Sequence, residues 1–177
     1  MSKAPSEHSL PRQVDPRKFA QQRIKLEGMI KISALPRLAG AVAEPTGSVA
    51  VELAFGIGDQ GEKVLNGTAK AQVQVICQRC LEVMPLELEG KLSLAIVWNE
   101  EQAESLPKHL DPWITGEGAA DLYEIIEEEL LLNLPMVAYH EEACVDKASF
   151  SSGEAVDEPE PANNPFSVLE QLKGSPK

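Results

Sequence analysis

Residues 63–97 read KVLNGTAKAQVQVICQRCLEVMPLELEGKLSLAIV, and this stretch decides the fold. Val73 and Val75 alternate with Gln72 and Gln74; past the cysteines, Met84, Leu86 and Leu88 alternate with Pro85, Glu87 and Glu89. A side-chain period of two marks a half-buried strand. The pattern predicts one long strand over 63–76 and another running through Leu92, Leu94 and Ile96, with Gly90 as a candidate break. Asn66-Gly67 reads as a tight turn or as a bulge within the first. Upstream, Val49, Val51, Leu53, Phe55 and Ile57 alternate with Ala50, Glu52, Ala54 and Gly56, and a turn rich in Gly and Asp follows. Met29–Ile32 is a candidate short strand. Together these predict an antiparallel meander with one face on the core.

Helical signals flank the meander. Asp15-Pro16 is a helix start, with Asp as the cap and Pro at the first helical position. That helix is expected to run through Phe19, Arg23 and Leu26 and stop at Gly28. Leu35–Ala39 reads as a turn or one loose helical turn, Glu100–Leu106 as a short acidic helical segment, and Asp111–Gly118 as a loop. Asp121–Leu134 is expected to be a long acidic amphipathic helix packed on the sheet. Leu122, Ile125, Ile126 and Leu130 form its apolar stripe, Glu124, Glu127 and Glu128 face away, and the helix ends before Pro135. The fold class is α+β. The expected organisation is a mobile basic head over 1–14, a single α+β domain over 15–150, a disordered acidic linker over 151–163, and a short C-terminal helix and tail over 164–177.

The chain has 177 residues, 16 Lys+Arg against 28 Asp+Glu, and a net charge of -12. That length suits one ordinary domain. The charge is unevenly spread: residues 1–40 hold 8 basic and 3 acidic groups (+5), whereas residues 100–160 hold 2 and 17 (-15). A broad basic face over the whole domain is excluded. No apolar run is long enough for a membrane span, and the N-terminal residues lack the apolar region of a secretory signal, so neither is expected. Three cysteines cannot close a disulfide set, which favours a reducing cytoplasm.

Cys77-Gln78-Arg79-Cys80 is the sharpest local feature. Two residues between thiolates let both sulfurs face one ion, as in structural zinc sites. Two more ligands are needed, and Tyr139-His140-Glu141-Glu142-Ala143-Cys144 offers His140 and Cys144 just after the long helix. Cys77, Cys80, His140 and Cys144 are therefore candidate zinc ligands; packed thiols in a plain turn are the bland alternative. Redox chemistry fits less well, because a redox pair normally sits at a helix N-terminus and this one joins two strands. No hydrolase motif or phosphate loop emerges, His8 and His109 lie outside any nucleophile pattern, and Glu127-Glu128-Glu129 reads as a solvated helix face, so no catalytic residues are assigned. Within the basic head, Arg12, Arg17, Lys18, Arg23 and Lys25 are candidate contacts to RNA phosphates; a solubilising surface is the alternative.

Several motifs in order resemble the bacterial YceD family, whose members are called large ribosomal RNA subunit accumulation proteins. They are Val14-Asp15-Pro16 leading to Leu26-Glu27-Gly28, Val64-Leu65-Asn66-Gly67, Cys77-Gln78-Arg79-Cys80-Leu81, Asp121-Leu122 heading an acidic helix into Leu134-Pro135-Met136-Val137, and the tail Asn164-Pro165-Phe166 through Val168-Leu169 and Leu172-Lys173. The resemblance implies a non-enzymatic cytoplasmic factor that supports synthesis, processing or stability of 23S ribosomal RNA and large-subunit assembly. The partners it implies are ribosomal RNA or components of the large-subunit precursor. A protein-only adaptor, binding a basic ribosomal protein or an RNA-processing enzyme through the acidic half, is the alternative. Neither a membrane nor a small-molecule substrate is expected.

Overall fold

The structure, a computed structural model, describes residues 9–146. The expected linker and terminal helix lie outside the described residues, as do residues 1–8 of the expected head. The chain divides into two units, Met1–Glu142 and Ala143–Lys177, and only residues 143–146 of the second are described, in irregular conformation.

The first unit is α+β. Its elements are β1 (Gln13–Val14), α1 (Pro16–Gln22), β2 (Lys25–Lys31), a single 3-10 turn at Ile32–Ala34, α2 (Pro36–Ala41), β3 (Ser48–Ile57), β4 (Lys63–Ile76), β5 (Val83–Val97), α3 (Glu100–Glu104), β6 (Asp111–Ile114), β7 (Ala120–Asp121) and α4 (Leu122–Leu132). The main sheet has the order β2-β3-β4-β5-β6, and β1 pairs with β7 in a separate ribbon. Strands β2 to β5 form the expected antiparallel meander. Strand β6, expected as loop, pairs parallel to β5 from Leu94↔Asp111 to Val97↔Ile114, so the sheet is mixed. Pro112 lacks an N–H for a ladder but is tolerated because β6 is an edge strand.

Cross-strand register lines up the apolar positions. Val49, Val51 and Phe55 stand opposite Ala71, Ala69 and Leu65. Ala71 and Val75 in turn face Leu88 and Met84. All are buried. On this face Phe19 of α1 meets Phe55 edge to face at 5.4 Å, and α4 packs across β4 and β5. Among the described residues, cover on the opposite face is at one end, where Val64, Ala95, Val97 and Leu110 pack with Ala103 and Leu106. Elsewhere that face carries polar groups such as the Lys70–Glu89 pair at 3.2 Å, a half-exposed ion pair that contributes little.

Four sequence expectations are corrected. Asn66-Gly67 is neither turn nor bulge: β4 runs straight through it, with Gly67 opposite Leu53 and Leu92. Gly is there because a Cβ would collide with the Glu52 carbonyl and the Leu53 Cα. Gly90 does not break β5 either. It makes room for α4, since a Cβ there would lie 2.6 Å from Glu129 Cγ. Helix α1 stops at Gln22 rather than at Gly28 because Arg23 adopts a left-handed φ of 54°; its N–H donates to Ala20 O and that of Ile24 to Phe19 O. This pair of bonds is a Schellman end with Arg where Gly is usual. Finally, residues 9–14 are docked onto the domain. Leu10 is buried and its carbonyl accepts from Tyr123 Oη at 2.9 Å, while Leu122 N donates to Arg12 O at 2.8 Å.

Glu127 also departs from its expected outward face. It is 4% exposed, and its Oε1 accepts from Arg37 N (2.7 Å) and Leu38 N (3.0 Å). Leu35 precedes α2 and supplies no side-chain cap, so a carboxylate from α4 satisfies the first amides instead.

The two sheet glycines should respond differently to added bulk. Gly67→Ala is expected to lower unfolding free energy by about 1–3 kcal/mol in chemical denaturation, because its neighbours are backbone. Gly90→Ala should cost less, since the Glu129 side chain can swing aside, giving up its 3.2 Å bond from Lys91 N.

Candidate functional site

The turn from β4 to β5 is the six-residue stretch Cys77–Glu82. Cys77 N donates to Glu82 O at 2.9 Å and Leu81 N to Cys77 O at 2.9 Å, closing a knuckle. The closure requires a left-handed residue, supplied by Leu81 with φ of 63°. A branched side chain there is unfavourable, and this one is 73% exposed. The segment after α4 lies against the knuckle within the same unit. Gln78 N donates to Ala138 O at 2.8 Å, and Arg79 Nη2 donates to His140 O (2.6 Å) and Glu142 O (2.7 Å). The Arg79 guanidinium also lies 5.6 Å from the Tyr139 ring centroid. Arg79 thus fastens the histidine-bearing segment to the loop that holds the two cysteines, and nothing in its local sequence announces that role.

The side chains converge as the sequence anticipates. Cys80 Sγ lies 3.4 Å from His140 Nδ1. The ligand atoms of Cys77, Cys80, His140 and Cys144 all fall within 4.8 Å of one another. Cys77 is buried and the other three are partly so. Burial pushes the Cys77 thiol pKa up. Backbone N–H groups of Cys80, Arg79 and His140 and the Cys80 side chain outweigh it, and the balance falls from 9.0 to about 5. The N–H groups gathered there therefore favour the thiolate form of Cys77. A buried anion calls for a cation, and three sulfurs with one imidazole are donors suited to a soft or borderline metal. Sulfurs bound at about 2.3 Å to one tetrahedral ion stand roughly 3.8 Å apart, which the cluster accommodates. These four residues could hold a metal ion.

The basic candidates part company. Arg12 Nε pairs with Asp121 Oδ2 at 2.8 Å, which raises the guanidinium pKa further, and it lies 5.6 Å from the Tyr123 ring centroid. Arg17 is tied into the fold: Nη1 donates to Gly116 O (3.0 Å), and Nη2 to Val97 O (3.1 Å) and Thr115 O (2.8 Å). Its guanidinium is 3.2 Å from the Trp98 ring centroid. Burial lowers its pKa, with Asp15 opposing. Lys18, Arg23 and Lys25 are exposed, and Lys18 lies on α1, Arg23 at its end and Lys25 at the start of β2. The acidic residues of α4 at 127 and 129 are engaged with backbone N–H groups, Glu127 as described and Glu129 with Lys91 N.

Comparison with known proteins bears on this arrangement. The family model described as large ribosomal RNA subunit accumulation protein YceD matches residues 65–173. The protein of that name from Haemophilus influenzae is 36% identical over 167 residues, which cover 93% of this chain and 96% of that protein. No solved structure matches.

Because Arg17 holds three carbonyls and the Trp98 ring, Arg17→Ala is expected to destabilise the fold by about 2 kcal/mol or more. Lys18→Ala and Lys25→Ala should leave thermal unfolding nearly unchanged. Thermal denaturation followed by circular dichroism compares the three.

Proposed function

Given that the chain belongs to the YceD family of large ribosomal RNA subunit accumulation proteins, we propose that it is a non-catalytic, cytoplasmic factor that associates with ribosomal RNA of the large-subunit precursor and sustains accumulation of 23S RNA. The family membership is the observation that carries this reading. Two structural features support it. Within the acidic cluster of α4, Glu127 caps α2 and Glu129 bridges to β5, so both serve packing. Lys18, Arg23 and Lys25 point to solvent from neighbouring positions at the start of the domain, where they can meet phosphates. No described helix is long and apolar enough to cross a membrane.

A second reading has its own observation. Leu81 is 73% exposed at the knuckle tip and Val83, one turn residue on, is 50% exposed, close to Glu82. Exposed apolar groups beside acidic ones fit an adaptor that binds a basic protein. Crosslinking of the tagged protein in cells decides between the two. The RNA reading expects large-subunit RNA attached to the protein, and less of it when Lys18, Arg23 and Lys25 are changed together to Glu. Crosslinks to a basic protein with no RNA would favour the adaptor.

Within either reading, Cys77, Cys80, His140 and Cys144 would hold zinc as a structural ion, tying the β4–β5 turn to the segment after α4. Purified protein is expected to contain about one zinc per chain, and Cys80→Ser should remove it and lower the melting temperature. The pH dependence has a definite sign. A thiol whose folded pKa lies below its ordinary value favours the folded, metal-binding form at higher pH, and loses that advantage as pH falls through about 5. Zinc should therefore stay bound at neutral pH and be released as the pH is lowered. Metal analysis after dialysis at stepped pH gives the answer; wild-type protein that is metal-free and equally stable would end the zinc assignment.

A further inference from the structure

Trp98 is 49% exposed, whereas the chain's other tryptophan, Trp113, is buried. An exposed Trp alone means little. Here its surroundings are built. Its backbone N–H donates to Gln102 Oε1 at 2.9 Å. The Arg17 guanidinium sits 3.2 Å from the ring centroid and is held there by the Val97, Thr115 and Gly116 carbonyls. A ring backed by a fixed cation is a pre-set stacking surface. Both residues line a shallow cleft of about 520 Å³, a volume within the roughly 300–1,000 Å³ of small-ligand sites.

The rest of the lining is equally specific. Lys18, Gln21 and Gln22 stand at i, i+3 and i+4 on α1, so one ammonium and two amides share a side of the helix. Asp15 also lines the cleft, but its Oδ1 accepts from Lys18 N at 3.0 Å as the cap of α1. Glu117 and Gly118 form the remaining wall. With Arg17 and Lys18 against Asp15 and Glu117, the cleft has no net charge, so bulk attraction to phosphate is not what it offers. It offers a flat surface for a ring, amides and a carboxylate for the ring's edge, and a lysine for an adjoining phosphate.

We propose that this cleft stacks one unpaired base of single-stranded RNA on Trp98, with Gln21, Gln22 and Glu117 reading its edge and Lys18 meeting the neighbouring phosphate. The inference rests on the RNA-associated reading and adds its point of contact. Stacking demands a base free of its helix, so the ligand is single-stranded. A carboxylate accepts from an exocyclic amine, so adenine, cytosine and guanine, which carry one, are preferred to uracil.

The two tryptophans make the test direct. Titration of the full chain with an adenosine decamer is expected to quench Trp98 emission. Trp98→Leu, in which only buried Trp113 emits, should show no quenching and roughly tenfold weaker binding by anisotropy of a labelled decamer. Trp98→Phe keeps a flat ring and should retain most of the affinity, while unchanged Trp113 emission reports that both variants are folded. Lys18→Glu should weaken binding and flatten its salt dependence. Absence of quenching in the wild type, or equal affinity in Trp98→Leu, overturns the proposal. Adenosine monophosphate binding as tightly as the decamer also overturns it, in favour of a free nucleotide. In cells the two levels separate: Trp98→Leu that recovers wild-type amounts of RNA sinks the cleft while leaving the RNA reading intact, and wild-type protein that recovers none sinks the reading itself.

Discussion

The chain reverses between β4 and β5, its two longest described strands, in the six residues of one knuckle, and the rest of the described structure depends on that reversal. The knuckle sets the register at Ile76↔Val83 and so at every pair down to Val64↔Ala95. A slip by one residue would turn Met84, Leu88 and Leu92 to the wrong face. It would also move Gly90 from beneath Glu129, where α4 needs its missing side chain. The same turn brings the Arg79 and Cys80 N–H groups to Cys77 and so lowers its thiol pKa. Sheet register and the placing of Cys77 and Cys80 therefore share one structural cause.

The ionic groups give a different picture from the charge arithmetic. The +5 of residues 1–40 suggests a basic surface, yet Arg12 and Arg17 are bound to other parts of the domain. Arg37 contributes its backbone N–H to Glu127 and its side chain to a long 3.8 Å pair with Glu128. Several acidic groups also work internally: Asp15 and Asp121 cap helices and Glu127 caps a third from a distance. The outward cations at the start of the domain are few, which makes a local contact to RNA, assisted by an aromatic ring, a better fit than a broad electrostatic face.

Strands β3 and β4 were legible because alternation over many residues has one reading, and α4 because its apolar spacing and terminal Asp and Pro agree. The Cys77, Cys80, His140 and Cys144 set was legible from donor type and spacing, since ligand chemistry allows few alternatives. Other features depend on contacts distant in sequence. Strand β6 is four residues long with Pro112 inside it, and only its parallel pairing with β5 makes it a strand. Glu127 lies on a face that periodicity assigns to solvent, and its partners are amides 89 and 90 residues away. Gly67 and Gly90 look like punctuation but are clearances for a neighbouring backbone and a helix side chain. Arg23 ends a helix in a conformation that its residue type disfavours, so no local signal marks the end.

The central claim is that a metal-holding knuckle orders a domain that sustains large-subunit RNA. The most direct test is the ratio of 23S to 16S RNA in cells whose own gene carries Cys80→Ser, with protein abundance measured alongside. The account expects the ratio to fall. An unchanged ratio at normal abundance of a metal-free variant would contradict it.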